Sequence, residues 1–183
     1  MERFRRLLPT EPVVLNVGGT DAEVEAIGPE ARRIDIVNYA RDGVRFEAMP
    51  IRPDCYDGVY CAHTLEHVRN VGVFLDRIFL TLKPGGVLAI VVPPAKPNIV
   101  GGHLTLWNAG LLIYNLIRAR FDCSKAMVRS EGYDIGVLVR KVRANFHESE
   151  LREDAGDIEY LAPYFPLPVA QDFDGRIESI NWE

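Results

Sequence analysis

Between residues 56 and 94 the chain writes out a strand, a helix and a second strand in order, and this run limits the fold more than any other. Tyr56-Asp-Gly-Val-Tyr-Cys-Ala62 reads as a strand, and His63-Thr-Leu-Glu-His67 turns the chain away from it. Val71, Phe74, Leu75, Ile78, Phe79 and Leu82 then recur at helical spacing, so one face of a helix over 71–82 packs on a sheet. Lys83-Pro-Gly-Gly86 stops that helix. Proline cannot continue it, and either glycine can adopt the positive φ of an exit turn. Val87 to Val92 is apolar throughout, as a central parallel strand covered on both faces must be.

The flanks extend the same alternation. Val13 to Val17 is a short apolar strand ended by Gly18-Gly19, Asp21 to Ile27 a short helix stopped by Gly28-Pro29, and Arg33 to Val37 a second strand. Val44 to Glu47 reads as a short third strand before Pro50 and Pro53 interrupt. Asn108 is a good N-cap for a helix reaching Arg120. Lys125–Ser130 and Tyr133–Lys141 flank Glu131-Gly132 as a terminal hairpin. The expected architecture is therefore α/β: a doubly wound, Rossmann-like, mostly parallel sheet with an antiparallel C-terminal edge hairpin. The α/β domain spans 1–145. Residues 146–183 hold an acidic stretch, His147 to Glu159, read as a solvated helix or linker. A tail rich in proline and aromatic residues follows, too apolar for plain disorder, which should pack on the domain or on a second subunit in a homodimer.

Charge and composition exclude several partners. A net charge of -5 argues against nucleic acid held through phosphates. No apolar run is long enough to span a bilayer, and the basic start, Met1 to Leu8, is broken by Pro9, Glu11 and Pro12 before it resembles a secretory signal. Cys55, Cys61 and Cys123 form no Cys-x-x-Cys pair, so reduced thiols in cytoplasm are expected.

In a doubly wound sheet, ligands bind beyond the carboxyl ends of the strands where strand order reverses. The loops that converge there are Asn16 to Thr20, Asp35 to Asn38, Glu47 to Pro50, Cys61 to His67 and Val92 to Pro94. Asp35 sits near the end of the second strand, where a carboxylate can accept two hydrogen bonds from a ribose diol, or it is simply a loop carboxylate. His63-Thr-Leu-Glu-His67 also fits the inverted zinc-protease signature His-x-x-Glu-His, which needs its residues on a helix. His63 directly follows a strand, so no metal is expected. Imidazole is the side chain suited to proton transfer near neutral pH, so His103, in the stretch that follows the fifth strand, could take a proton from an acceptor, with His67 as the second choice.

The segments Met49-Pro50, Tyr56-Asp57, Leu65-Glu-His67 and Lys83-Pro-Gly-Gly86 together resemble the class I methyltransferases that use S-adenosylmethionine. The resemblance covers residues 13–141. That family's first loop reads acid-x-Gly-x-Gly-x-Gly, whereas this chain has Asn16-Val-Gly18-Gly19-Thr20-Asp21-Ala22. Only Gly18 falls on a motif glycine, and Asn16 replaces the acid. The acid that usually holds the adenine amino group falls on Arg45, with Glu47 the nearest carboxylate. The backbone at Ala48 or Met49 is then left to hold the adenine edge. The resemblance implies S-adenosylmethionine held by Asn16, Gly18, Gly19, Asp35, Ala48, Met49, Ala62 and His63. It places Glu66 and Trp107 on the substrate side and His103 and His67 as catalytic bases. It implies methyl transfer to oxygen or nitrogen of a small acceptor, a sugar or other metabolite.

The same departures fit a second reading, a methyltransferase-like domain that no longer binds the cofactor and serves as a binding or assembly subunit. A pocket wide enough for adenosine beside Gly18 and Asp35 favours the enzyme. Thr20 or Arg45 filling that space favours the subunit.

Overall fold

A computed structural model describes residues 1–182. Thirteen elements follow in order: α1 (Glu2–Leu7), β1 (Val13–Val17), α2 (Asp21–Ile27), β2 (Arg33–Val37), α3 (Tyr39–Asp42), β3 (Tyr56–Ala62), α4 (Val71–Thr81), β4 (Leu82–Val92), α5 (Ala109–Arg118), β5 (Met127–Glu131), β6 (Asp134–Arg140), α6 (Asp157–Leu161) and β7 (Ser179–Ile180). The strands form one sheet in the order β2-β1-β3-β4-β6-β5-β7. The first four run parallel, and β6, β5 and β7 are added antiparallel. The expected α/β sheet with an antiparallel C-terminal hairpin is the one observed.

Both faces of the sheet are covered. On one, α4 and α5 bury Phe74, Leu75, Ile78, Leu112, Ile113 and Leu116 against Leu15, Val59, Leu88 and Ile90. On the other, α1 and α2 set Phe4 and Ile27 over Val14, Val87 and Ala89. Gly58 in β3 is required by this second layer, because a Cβ there would come within 2.6 Å of Leu8 and 2.8 Å of Phe4. Sequence pattern gave no sign of α1, whose single buried side chain is Phe4.

Three boundaries differ from expectation. Val44–Glu47 is not a strand: residues Phe46–Ala48 form a 3-10 turn. Gly43 ends α3 in the left-handed region (φ 67°), and the turn then drives Phe46 inward to meet Phe74 edge-on at 5.2 Å. Burial of that ring outweighs the β-propensity of a run too short to pair, and β2 becomes the sheet edge. The helix over 71–82 gives way to strand at Leu82, and the Lys83–Gly86 segment lies in β4 as an irregularity opposite Tyr56 and Gly58. Gly86 serves the close approach there, since a Cβ would meet the Lys83 and Asp57 carbonyls at 2.9 and 3.1 Å. The helix expected to reach Arg120 stops at Arg118.

The acidic stretch is a 3-10 turn (Glu148–Glu150) followed by α6, and it is tied to the end of α5. Glu148 pairs with Arg120 at 2.8 Å and Glu153 takes two hydrogen bonds from Arg118 at 2.9 and 3.1 Å. The tail buries Leu161, Phe165 and Ile177 in the α4–α5 layer and ends by pairing β7 with β5. Among the described residues no helix is long and apolar enough to cross a membrane.

Candidate functional site

The carboxyl ends of β1, β2 and β3 open onto a cleft of about 520 Å³, at the point where strand order reverses between β1 and β3. Its floor is Val17 and Gly18 at the end of β1, Val37 and Asn38 at the end of β2, and His63 and Thr64 after β3. Phe46, Val68, Phe74 and Leu104 supply an apolar wall, and Tyr39, Arg45, Glu47 and His67 the rim. A volume of this size is in the range of small-molecule and cofactor sites.

The glycine pair is needed on steric grounds. Gly18 has φ +78°, and a Cβ there would overlap the side chain of Thr64. A Cβ on Gly19 would overlap the carboxamide of Asn16. Thr64 reaches this position because its hydroxyl lies 3.0 Å from the Ala62 carbonyl and 3.2 Å from that of Val17, bracing the loops after β1 and β3 against each other. Thr20 does not enter the cleft. It caps α2 in a capping box with Glu23, its backbone N–H donating to the Glu23 carboxylate. Arg45 lies at the rim with its guanidinium 4.5 Å from the Tyr39 ring, so neither side chain expected to close the space does so.

Asn16 is fully buried and both polar atoms of its carboxamide lack a partner among the described residues. Such a group is costly to leave unmade, and it is sealed beneath Gly19, backing the loop without lining the cleft. Gly19 likewise backs the cleft, its carbonyl accepting from Asn38 Nδ2 at 2.9 Å.

Asp35 requires correction. It is mid-strand and lines a second cavity of about 340 Å³ with Arg33, Met49 and Tyr56, apart from the cleft. The Tyr56 hydroxyl donates to its carboxylate at 2.7 Å. Burial first, and then Asp35, push the Tyr56 phenol pKa well up, so that hydroxyl stays protonated. The residue that follows β2 is Asn38, and its side chain is already occupied. Oδ1 accepts from Ala40 and Arg41 N–H as the N-cap of α3, while Nδ2 donates to the Gly18 and Gly19 carbonyls. No carboxylate therefore ends β2, and Glu47 is the carboxylate on the cleft wall.

The remaining expected residues divide. His63 and His67 line the cleft; Ala48 and Ala62 do not, and Met49 faces the second cavity, its carbonyl taken by Arg77. Glu66 is buried behind His67, not exposed at the mouth, and Trp107 is a core side chain at 3% exposure. His103 packs edge-on against His67 with ring centroids 5.1 Å apart. The loop carrying His103 is fastened over the site, because Leu104 and Thr105 N–H donate to the Glu66 carbonyl at 2.7 and 3.2 Å. Asn38, Thr64 and Phe46 escaped the sequence reading. Taking the first residue after β2, instead of the nearest carboxylate, would have found Asn38.

Comparison with known proteins agrees with this geometry. The family described as "Methyltransferase domain" matches residues 4–167. Among solved structures, an S-adenosylmethionine-dependent methyltransferase from Aquifex aeolicus aligns with TM-score 0.58 at 16% identity, covering 77% of this chain and 87% of that one. The Burkholderia thailandensis 1,6-didemethyltoxoflavin-N1-methyltransferase, bound to its substrate and S-adenosylhomocysteine, aligns with TM-score 0.57 at 16% identity, covering 79% and 78%. At such identities these structures share the fold. A search of curated proteins finds no match. A match over residues 4–167, with the fold and the cleft in agreement, shows that the chain belongs to the methyltransferase-domain family, whose cofactor is S-adenosylmethionine and whose reaction is S-adenosylmethionine-dependent methylation.

Proposed function

We propose that this chain transfers the methyl group of S-adenosylmethionine to an oxygen or nitrogen of a small acceptor, a sugar or other metabolite. The observation that carries the reading is the open cleft beside Gly18 at the reversal of strand order, with neither Thr20 nor Arg45 filling it. The residues present fit the cofactor in three respects. The cleft volume suffices, the wall of Phe46, Val68 and Phe74 suits an adenine ring, and Gly18 has no Cβ to hold a ligand off the backbone. The cofactor supplies a methyl on a sulfonium, already activated toward a nucleophile. Glu47 and exposed backbone would take the ribose hydroxyls in place of the missing acid after β2.

The protein's own contribution is alignment. Methyl transfer forms no covalent enzyme intermediate, and most of the acceleration comes from holding acceptor, methyl and sulfur in line. The loop over His103 to Thr105, bonded to Glu66, covers the acceptor side, and His67 or His103 would receive the proton of a hydroxyl or amine. The test is to incubate the protein with S-adenosylmethionine and a panel of hydroxylated and amine-bearing metabolites while following S-adenosylhomocysteine release. Turnover that requires one acceptor and falls in His67→Ala supports the reading. A folded protein that neither binds the cofactor nor turns over any acceptor would favour the alternative, a domain that no longer binds the cofactor.

A further inference from the structure

Glu66 is a buried carboxylate whose nearest basic neighbours are imidazoles. The residue is 1% exposed and its Oε2 has no hydrogen-bond partner among the described residues. The basic groups near it are two imidazoles: His63 Nδ1 lies 3.6 Å, and His67 Nε2 3.8 Å, from Oε1. Each ring has its other nitrogen committed. His63 Nε2 stands 3.0 Å from Asp134 Oδ1, and His67 Nδ1 stands 2.7 Å from the Gly102 carbonyl. Those oxygens accept, so these nitrogens carry the protons, and in neutral rings the nitrogens turned to Glu66 carry lone pairs. A buried carboxylate facing lone pairs is costly unless a cation lies among them.

A third imidazole converges on the same point. Glu66, His67 and His103 each present a donor atom, all within 4.8 Å of one another. We propose that Glu66, His67 and His103 bind a divalent transition-metal ion, zinc by preference, in a two-histidine, one-carboxylate site open toward the cleft. Three such ligands with one free position are the donor set of catalytic zinc, and imidazole selects against magnesium and calcium. The hydrogen bond from His67 Nδ1 to Gly102 is the kind of outer contact that orients a ligating ring and leaves Nε2 for the metal. A proton would settle the conflict through one ring; a second histidine brought to the carboxylate from a separate loop is what a metal uses.

Zinc ligands at about 2.0–2.1 Å stand about 3.3 Å apart in a tetrahedron, so the three groups close by about 1 Å on binding. His103 can supply that movement: it is partly exposed and follows Gly102, which holds a turn at φ +82°. The free position faces the side that His67 lines and would take an acceptor hydroxyl oxygen. With both imidazoles on the ion neither serves as the base named above: as the O–CH3 bond forms, the sulfonium S–CH3 bond breaks and the hydroxyl proton leaves to solvent. That use rests on the function proposed above; the site itself does not.

The test uses tag-free full-length protein, stripped with chelator and titrated with zinc chloride and, separately, cobalt chloride. One equivalent should bind saturably, with cobalt giving the visible absorption of a low-symmetry four-coordinate centre. Glu66→Gln and His103→Ala should each weaken binding about tenfold or more. His147→Ala, which alters the histidine outside this region, should change nothing. His103 lies on a loop, so its variant keeps the test decisive even if the Glu66 variant fails to fold. Absence of saturable binding, or binding indifferent to His103→Ala, overturns the proposal. Metal binding is read without cofactor or acceptor, so its failure and a failure of methyl transfer are told apart.

Discussion

Replacing Gly18 by alanine tests whether the loops after β1 and β3 are in contact, on which the shape of the cleft depends. Two costs add. At φ +78° an L-residue is in the left-handed region, a penalty of about 1–2 kcal/mol. Its Cβ would also overlap the Thr64 hydroxyl and lie 2.8 Å from Thr64 Cβ and Cγ2. A rotamer change can move the hydroxyl, but Thr64 Cβ is fixed by the backbone and its 2.8 Å contact persists, and overpacking of this kind costs about 1–3 kcal/mol. Gly18→Ala should therefore lose about 2–5 kcal/mol. In a Thr64→Gly background the obstructing atoms are gone and only the conformational penalty, about 1–2 kcal/mol, remains. Urea unfolding of the four proteins measures the coupling, expected at about 1–3 kcal/mol. A Gly18→Ala cost below about 1 kcal/mol, or the same cost in both backgrounds, would refute the placement of Thr64.

Other consequences follow from particular contacts. Asp35→Ala should leave S-adenosylhomocysteine affinity unchanged, because Asp35 lies outside the cleft, while loss of its bond to Tyr56 costs about 1 kcal/mol in urea unfolding. A marked loss of affinity would return Asp35 to the site. Burial alone would raise the pKa of the Asp57 carboxyl, but Lys83 at 2.7 Å and the Val13 N–H at 2.9 Å outweigh it and hold the pKa below its usual value. Its stabilisation is thus present above the unfolded value of about 3.9 and disappears as pH falls through the lower folded one. The stability gap between wild type and Asp57→Asn, open at neutral pH, should close on the acid side; a gap independent of pH would contradict the contact. Trp107→Phe removes from the core a buried indole N–H that has no partner among the described residues. It should shift stability by less than about 1.5 kcal/mol and leave acceptor kcat/KM unchanged, where a substrate contact would lower it.

What the sequence disclosed follows from how locally each element is determined. The β3–α4–β4 unit was legible because Val59, Phe74, Ile78, Leu88 and Ile90 repeat at the periods of strand and helix, and each buried side chain lies where its period puts it. Strand β2 was legible too, yet the site residue beyond it was not. Asp35 has the right chemistry for a ribose contact, but it sits two residues short of the strand end, and its carboxylate bonds Tyr56 across the second cavity. Helix α1 and the turn at Phe46 depend on single aromatic side chains finding partners distant in sequence, Tyr60 for Phe4 and Phe74 for Phe46. No local pattern announces such pairs. The His63-Thr-Leu-Glu-His67 segment shows the same limit. Its spacing suggested a helical metal motif, whereas Leu65–His67 is a 3-10 turn that brings His67 to His103, a residue 36 positions later and invisible to the motif.

Calorimetric titration of the purified protein with S-adenosylhomocysteine, which needs no acceptor, tests the central claim most directly. Binding with micromolar affinity in the wild type, abolished by Gly18→Arg in a variant that remains folded, is the predicted result. A folded wild-type protein that takes up no ligand at millimolar concentration would contradict the cofactor site and leave the cleft to another occupant.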